Sequence, residues 1–230
     1  MPDEEPQHRH ILTFNFRQGR NKPRHDEAFA SLWPRYGLDW EPGDGPIDFP
    51  KLFGRTAPVV LEIGSGNGEA AAAMSDADRA RDLLAVEVYP QGIADLMDRA
   101  AERGLDNLRI YQGDALPLLW EALAPGSLDE VRVYFPDPWP KKRHHKRRII
   151  QPDHVRTLTA LLRPGGVFHC ATDIEDYAEQ MLDVLTAEPA LENTADGYAP
   201  RPDHRPVTKF ERRGVKAGRD IFDLIFRKRR

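Results

Sequence analysis

The sequence has little cysteine and no long apolar run, and each shortage excludes a class of protein. Cys170 is the only cysteine among 230 residues, so no disulfide can form within the chain, and its apolar surroundings indicate a buried, inert thiol. No stretch of about 18 apolar residues is present to span a bilayer. The first ten residues, MPDEEPQHRH, are acidic and polar, unlike a secretory signal. We therefore expect a cytoplasmic protein without a membrane segment.

The charge balance is slightly acidic overall but uneven along the chain. The net charge is −4, with 40% hydrophobic and 30% charged residues, as in a soluble globular protein. Residues 1–140 carry 14 Lys and Arg against 24 Asp and Glu, whereas residues 141–230 carry 19 against 13. Because salt confines useful fields to about 10 Å, local basic patches decide the attraction to nucleic acid. An acidic total therefore does not exclude RNA as a partner.

Apolar runs of strand length alternate with helical patterns from residue 58 onward. We predict strands at residues 59–63, 83–88, 108–111, 131–135 and 167–170, and helices at 69–74, 91–103, 116–123, 149–162 and 176–185. The fourth helix should end at the Arg163-Pro164-Gly165-Gly166 segment, and the alternation around Phe222 to Phe226 predicts a last strand without a following helix. This rhythm predicts an α/β fold with a doubly wound, mostly parallel seven-stranded sheet and an antiparallel C-terminal strand.

Residues 1–57 have a different character and are interpreted as a partly flexible N-terminal extension to the domain at 58–230. They contain the basic piece Arg17-Gln18-Gly19-Arg20, a helix candidate at 26–36 and a connection rich in proline and glycine at 41–46. The basic piece makes an RNA contact by this extension a possibility to be tested.

A glycine-rich loop follows the first strand of the main domain and opens a helix, where sheets of this type bind nucleotides. Gly64, Gly66 and Gly68 form a G-x-G-x-G pattern, and Glu69 stands where a dinucleotide fingerprint requires glycine. Glu62 lies two residues before the loop. A carboxylate there repels a pyrophosphate but suits a cation such as the ammonium group of S-adenosyl-L-methionine.

Further acids stand where the other parts of such a cofactor should lie. Glu87 ends the second strand and can accept both ribose hydroxyl groups. Asp114, followed by Ala115, ends the third strand and can accept a hydrogen bond from the adenine amino group. Any one of these acids is more simply explained by an exposed turn. Four acids in order at strand ends, with Asp137 as the fourth, favour an S-adenosylmethionine cleft.

The stretch at 134–148, YFPDPWPKKRHHKRR, places an acidic, aromatic loop against a block of cations. Asp137 lies between two prolines, and Trp139 is equally compatible with a core position and with stacking on a base. A solvated helix start is the simpler interpretation of the six cations at 141–148, but no acidic residue lies among them, which favours a contact with RNA. Histidines without metal-ligand spacing predict no metal site. The predicted RNA-binding residues are Lys142, Arg143, His144, His145, Lys146, Arg147 and Arg148.

Motifs along nearly the whole chain resemble the bacterial tRNA (guanine-N7-)-methyltransferases of the TrmB type. The cofactor loop is shared with many methyltransferases, whereas PDPWPKKRH at 136–144 and TKFERRG at 208–214 are specific. The first forty residues match less closely. The resemblance implies a Rossmann-like domain that methylates guanosine 46 in the variable loop of tRNA, with S-adenosylmethionine as donor. Whether the protein is a monomer or a homodimer stays open at this level.

The resemblance also implies roles for individual residues. Cofactor contacts fall on Glu62, Glu87, Asp114 and Asp137, and Asp137 is the residue tied most directly to catalysis. Substrate contacts fall on Lys141, Asp173, Thr208, Lys209, Phe210 and Glu211. The segment 208–214 is alternatively a plain loop before the last strand.

Two other functions remain open at this level. A methyltransferase of the same fold could act on an exocyclic amine, and a non-catalytic RNA-binding protein could retain a vestigial nucleoside fold. Guanine N7 carries a lone pair and no proton, so its methylation requires no general base. Acids near the acceptor, Asp137 and Asp173, would therefore position the base and offset the developing cation.

Overall fold

The computed structural model describes residues 11–15 and 22–230, and within them eight strands form one mixed sheet. The strand order is β1-β4-β3-β2-β5-β6-β8-β7, in which the pairs up to β5 and β6 are parallel and the pairs made by β8 are antiparallel. The predicted α/β class and antiparallel C-terminal strand are confirmed. The sheet has one strand more than predicted.

The strands are β1 (Gly37–Leu38), β2 (Val59–Ile63), β3 (Asp82–Glu87), β4 (Leu108–Gln112), β5 (Leu128–Tyr134), β6 (Leu162–Thr172), β7 (Leu191–Asn193) and β8 (Phe222–Lys228). The helices are α1 (Pro23–Tyr36), α2 (Phe49–Phe53), α3 (Glu69–Ala77), α4 (Pro90–Glu102), α5 (Ala115–Pro117), α6 (Pro152–Leu161), α7 (Glu175–Ala187) and α8 (Lys209–Lys216). A π-helical turn at Leu118–Ala122 continues α5, and a 3-10 helix spans Lys142–Arg147.

Apolar cores on both faces of the sheet explain why β2 and β3 read as continuous apolar runs. All residues of both strands are buried, as expected for parallel strands covered by helices on each side. Successive side chains point to opposite faces, so Val60 packs with α1 and α4 while Leu61 packs with α6 and α7. In α4 the buried positions recur with helical period, and Pro90 occupies its first turn.

Part of the predicted N-terminal extension belongs to this sheet. β1 pairs in parallel with β4, Gly37 opposite Ile110, and the helix predicted at 26–36 is α1, which packs against α4. The basic piece Arg17-Gln18-Gly19-Arg20 lies outside the described residues. Among those that are described, no helix is both long enough and apolar enough to cross a membrane.

Three local departures from the sequence predictions have physical reasons. The segment 163–166 follows α6, which ends at Leu161, but it lies inside β6 and not in a loop. The register to β5 shifts between Leu128 and Glu130, because a bulge accommodates extra residues in a strand. The predicted helix at 116–123 winds partly as a π-helix. Residues 209–216, one alternative for which was a loop, form α8, capped by Thr208.

Candidate cofactor and acceptor site

A cleft opens where the sheet changes direction, at the carboxyl ends of β2 and its neighbours. β2 pairs with β3 on one side and with β5 on the other, which is the switch point where open sheets of this type bind ligands. The cleft is lined by the glycine loop, by the residues that follow β3, β4 and β5, and by Thr13, Phe14, Thr208 and Phe210.

The glycine loop takes a backbone path that other residues would disturb. Gly64, Gly66 and Gly68 have φ angles of 78°, 58° and 71°, in the left-handed region that favours glycine. A Cβ on Gly68 would lie 2.4 Å from a methyl carbon of Leu96, and one on Gly92 would lie 2.3 Å from the carbonyl oxygen of Gly66. The loop therefore lies tightly against α4, with its backbone facing the cleft.

Glu62 is a buried acid on the cofactor side of the cleft. Its side chain is 3% exposed, and Oε2 has no hydrogen-bond partner among the described residues. Burial raises the pKa of Glu62 to about 7, and the nearby Arg132 opposes that rise. A buried carboxylate oxygen without a partner costs free energy, so a cationic ligand group would satisfy it. This observation fits the predicted ammonium of S-adenosylmethionine.

Glu87 joins the end of β3 to the glycine loop. Its Oε2 accepts a hydrogen bond from the Gly66 N–H at 2.7 Å, and its Oε1 accepts from Val88 and Tyr89 at 2.7 and 3.0 Å. Burial raises the pKa of Glu87, and these three hydrogen bonds limit the rise. The carboxylate is thus oriented towards the cleft, where it can accept from a diol.

Asp114 follows β4 and begins α5. Its Oδ1 accepts a hydrogen bond from the Leu116 N–H at 3.1 Å, as an N-cap residue does. Asp114 and Ala115 both line the cleft. The structure therefore brings Glu62, Glu87 and Asp114 together with Asp137, the fourth acid of the predicted set.

Asp137 lies on a short loop after β5 that is covered by the N-terminal segment. Its Oδ2 accepts a hydrogen bond from the Asn15 N–H at 3.1 Å, and the Trp139 indole donates to the Thr13 carbonyl at 3.1 Å. Phe135 and Trp139 have φ angles of 50° and 45°, which is rare for residues with a side chain and occurs where a site requires it. The loop is held from both ends.

The structure decides between the two interpretations of Trp139. The side chain is 6% exposed, so the core position is correct and stacking on a base is not. Its ring packs under the Arg147 guanidinium at 4.9 Å and edge-on to His144 at 5.9 Å. Trp139 therefore fixes the basic segment to the loop that carries Asp137.

The basic segment has an exposed part and one buried member. The side chains of Lys141, Lys142, Arg143 and Lys146 are exposed, and the 3-10 helix Lys142–Arg147 has no buried residue. Partial desolvation, together with Arg143 and Arg147, lowers the pKa of His144, which favours its neutral form. The exposed cations form a surface that RNA phosphates could contact.

Arg148 is the buried member, and its predicted RNA contact requires correction. The residue is 1% exposed, and its guanidinium donates to the Pro138 carbonyl at 2.8 Å, the Asp176 carboxylate at 2.9 Å and the Gln180 side chain at 2.7 Å. It also lies over the Tyr177 ring at 4.5 Å. With these partners inside the protein, Arg148 supports the Asp137 loop and does not face solvent.

Asp173 follows β6 and is paired with an arginine. The Nε and Nη2 atoms of Arg219 both donate to Oδ2, at 2.8 and 2.6 Å. Gly214 packs against the same side chain, since a Cβ there would lie 2.7 Å from Oδ2. Asp173 does not line the cleft itself. It lies against Gly214 of α8.

α8 brings two predicted substrate residues to the cleft and turns a third away from it. Thr208 and Phe210 line the cleft, and Phe210 is 53% exposed. Glu69 fixes the helix start by accepting from the Lys209 N–H at 2.9 Å and from Arg212 at 2.8 Å. Lys209 is exposed.

Glu211 requires correction, because a contact with substrate was predicted for it. The side chain is 3% exposed, and its two oxygens accept from Arg201 at 2.7 Å and Arg205 at 2.5 Å. It points into the protein and cannot touch a base in the cleft. The pattern of the TKFERRG motif gives no sign of this orientation, since both partners lie upstream of it.

Sequence reasoning missed several contributors to the site, among them Glu69, Arg205, Arg219 and the segment of Thr13 and Phe14. Their contacts join residues far apart in the chain, which local spacing does not show. Among the described residues, no group of three or more His, Cys, Asp or Glu side chains has the arrangement of a metal site.

The fold and the cleft define a Rossmann-like, S-adenosylmethionine-dependent methyltransferase. A family model described as "Putative methyltransferase" matches residues 56–224. The structure is similar to that of the 16S rRNA methyltransferase KamB, with a TM-score of 0.60, 18% identity, and coverage of 84% of this chain and 96% of that chain. This likeness concerns the fold.

Two curated relatives identify the family more narrowly. The tRNA (guanine-N(7)-)-methyltransferase of Streptomyces avermitilis is 52% identical over 96% of this chain and 76% of its own length. The enzyme of the same name from Paraburkholderia xenovorans is 50% identical over 99% and 87%. The chain belongs to the tRNA (guanine-N(7)-)-methyltransferase family, and the predicted resemblance is confirmed.

Proposed function

We propose that the protein transfers a methyl group from S-adenosylmethionine to N7 of a guanosine in tRNA, at position 46 of the variable loop. The observation that carries this proposal is the junction at Trp139. The cleft acid Asp137 and the exposed cations of Lys142–Arg147 are fixed to one another there. Membership of the family supports the same substrate.

On the cofactor side, the residues fit each part of the donor. S-adenosylmethionine, when bound, supplies an electrophilic methyl group on its sulfonium. Glu62 would pair with the ammonium group, Glu87 would accept the ribose hydroxyls, and Asp114 would accept from the adenine amino group. Gly64, Gly66 and Ala115 line the cleft and would leave room for the nucleoside. Gly68 would contribute indirectly, because it lets the loop pack closely against Leu96 of α4.

On the acceptor side, the chain's task is to orient a base and to tolerate the charge that forms. N7 of guanine already has a lone pair, so no residue must remove a proton before transfer. Asp137 would hold the base in line and stabilise the cationic product electrostatically. Thr208 and Phe210 form the opposing wall.

Asp173 would contribute base specificity. Arg219 donates only to its Oδ2, and Oδ1 could accept from the N–H groups on the Watson–Crick edge of guanine. Adenine presents an acceptor where guanine has N1–H, so a carboxylate rejects it. Lys141 lies between the Asp137 loop and the basic segment and would contact the phosphate of the extruded nucleotide.

The RNA itself would dock on the basic segment. The proposed contacts are Lys142, Arg143, Lys146 and Arg147, with His144 and His145 between them. A base in a loop leaves its stack at low cost, which suits a variable-loop target. We assign residues 58–230 to the methyltransferase domain and residues 1–57 to an extension that contributes β1 to the sheet of that domain and could add RNA contacts. We also propose a cytoplasmic location, which a tRNA substrate supports, and a monomer or a homodimer as the active state.

Transfer of a labelled methyl group to tRNA tests this function. We expect label in tRNA, and strand scission within the variable loop after borohydride and aniline treatment, which marks N7-methylguanosine. Label on an exocyclic amine would instead support the other methyltransferase function. Absence of both label and heat of binding with S-adenosylmethionine would support a non-catalytic RNA-binding protein.

A further inference from the structure

A chain of charged side chains lies buried between α8, β6 and β8. Arg205 is 1% exposed and lies at its centre. It donates to Asp223 through Nε at 2.8 Å and Nη2 at 2.7 Å, and to Glu211 through Nη1 at 2.5 Å. Asp223 and Glu211 are themselves 1% and 3% exposed. One guanidinium thus pairs with two buried carboxylates on two different elements.

The same chain reaches the Asp137 side of the cleft. The Arg205 guanidinium lies 5.9 Å from the ring centre of Tyr134 and 5.7 Å from that of Phe135. The Tyr134 hydroxyl is hydrogen-bonded to His169 at 2.9 Å, and His169 to Asp223 at 2.8 Å. Tyr134 and Phe135 line the cleft and lead directly into Pro136 and Asp137. Arg205 therefore contacts both the α8 wall and the β5 wall.

α8 has unusually little else to hold it. Of its eight residues, only Glu211 and Gly214 are buried, so no apolar stripe anchors this helix to the sheet as α4 is anchored. Its fixed points are the Glu211 ion pairs, the packing of Gly214 on Asp173 and the contact of its first turn with Glu69. Buried ion pairs add little net stability over apolar packing, but they demand one geometry.

We propose that Arg205 is a positioning residue for methyl transfer. By holding Glu211 and Asp223 at once, it sets α8 at a fixed distance from the end of β5. Thr208 and Phe210 then face the Asp137 loop across the cleft. Glu211 acts through the same contact and does not touch the base. This inference rests on the proposed function, because the base held between the two walls is the proposed guanine.

The test compares variants of the network with a matched buried carboxylate elsewhere. Glu211→Gln removes one charge and keeps the side-chain shape, and Arg205→Lys keeps the charge but cannot reproduce the forked contact to two carboxylates. Asp82→Asn is the control, because Asp82 is 1% exposed, is paired with Arg55 at 2.6 Å, and lies at the opposite end of the sheet from the cleft.

We expect the network variants to lower kcat/KM for tRNA on the order of tenfold to a hundredfold, as small misplacements of a reacting base do. The calorimetric Kd for S-adenosylmethionine should change by less than about threefold, because Glu62, Glu87 and Asp114, the acids proposed to bind it, lie at the ends of β2, β3 and β4, away from the network. Hydrogen exchange should accelerate in the amides of α8 and not in β6 or β8. Asp82→Asn should leave kcat/KM and α8 exchange unchanged, even if its Tm falls equally.

Other outcomes separate the two proposals. Unchanged exchange in α8 and unchanged kcat/KM in Glu211→Gln would overturn the positioning role, while the wild-type activity on tRNA would still stand. Losses in Asp82→Asn equal to those of the network variants would reduce the effect to general destabilisation and would also overturn it. Failure of the wild-type protein to methylate tRNA would refute the proposed function itself. If Arg205→Lys does not fold, Glu211→Gln decides.

Discussion

The two sides of the cleft are built in different ways. The cofactor side consists of the ends of β2, β3 and β4 and a glycine loop packed against α4, so backbone geometry determines its shape. The acceptor side consists of the Asp137 loop, Asp173 and α8, and arginine side chains hold it together. Arg219 pairs with Asp173, and Arg205 pairs with Glu211 of α8 and lies over the Phe135 ring. The cofactor side is therefore sensitive to added volume, whereas the acceptor side is sensitive to the removal of charge.

The largest effect should come from the acid on which both sides meet. We expect Asp137→Ala to lower kcat by at least about 100-fold, in the range seen when a group that stabilises transition-state charge is removed. The Kd for tRNA should stay within about twofold, because exposed cations supply most of the attraction. Single-turnover transfer and filter binding measure the two quantities. A comparable loss of tRNA affinity would contradict this division between chemistry and binding.

A pair of glycines tests whether backbone shape governs the cofactor side. Gly68 and Gly126 both have a φ of 71°, but an added Cβ meets Leu96 at 2.4 Å in the first case and nothing within 4 Å in the second. Both alanine variants should lose roughly 1–2 kcal/mol of stability to backbone strain. Gly68→Ala should in addition weaken S-adenosylmethionine binding by about tenfold or more, which is about 1.4 kcal/mol or greater.

Calorimetry on both variants, together with urea unfolding, gives the comparison. Equal Kd values for S-adenosylmethionine would show that the loop accommodates a side chain. The control isolates collision from strain, because Gly126 lies in the turn before β5 and away from the cleft.

The buried acid of the cofactor side should make binding depend on pH. The pKa of Glu62 is raised to about 7, and only its ionised form pairs with an ammonium group. Affinity for S-adenosylmethionine should therefore rise with pH up to about 7 and then level off, by as much as about tenfold per pH unit below that point. Glu62→Gln should bind more weakly above pH 7 and flatten the profile. A wild-type profile that is already flat between about pH 5.5 and 7.5 would contradict this role.

The same group has a stabilising effect of opposite sign on the ligand-free protein. A carboxyl whose pKa is higher in the folded state binds its proton more tightly there. Its contribution to the free energy of unfolding is complete below its unfolded pKa and is lost as pH rises through about 7. Chemical unfolding across this window should show this pH dependence of the free energy of unfolding in the wild type and not in Glu62→Gln.

The smallest effect should come from the exposed cations of the acceptor side. Replacing Lys142, Arg143 and Lys146 with glutamine should reduce the slope of log affinity for tRNA against log salt by about 0.7 to 0.9 for each phosphate that is no longer neutralised. Arg148→Met is the comparison within the same run. Because Arg148 is 1% exposed, its replacement should lower Tm and leave the slope unchanged. A reduced slope in Arg148→Met would show that Arg148 does contact RNA.

The different construction of the two sides also determined how much of each could be predicted from the sequence. Glu62, Glu87 and Asp114 lie at strand ends, and the parallel order of the strands brings them together, so position along the chain sufficed to place them at one cleft. Gly68 and its neighbours likewise indicated a turn before a helix. The predicted class and the main strands therefore match the structure closely.

The acceptor side was harder to predict because its contacts are distant in sequence. Asn15 meets Asp137 across 122 positions, and Lys209 meets Glu69 across 140. Burial within a run of like charges is also invisible, since Arg148 resembles its five cationic neighbours until its partners on α7 are known. Glu211 was misplaced because the resemblance assigned it a substrate contact, whereas Arg201 and Arg205 pair with it inside the protein.

The loop that carries Asp137 has a consequence for redesign. Two prolines lie between two residues, Phe135 and Trp139, that hold left-handed backbone angles, and each of these constraints reduces the number of conformations available to the segment. The Asp137 carboxylate is thus carried by a nearly rigid five-residue loop. To obtain a different acceptor, the five residues should be replaced as one unit together with Arg148 and its partners on α7, because a change at any single position would disturb the others.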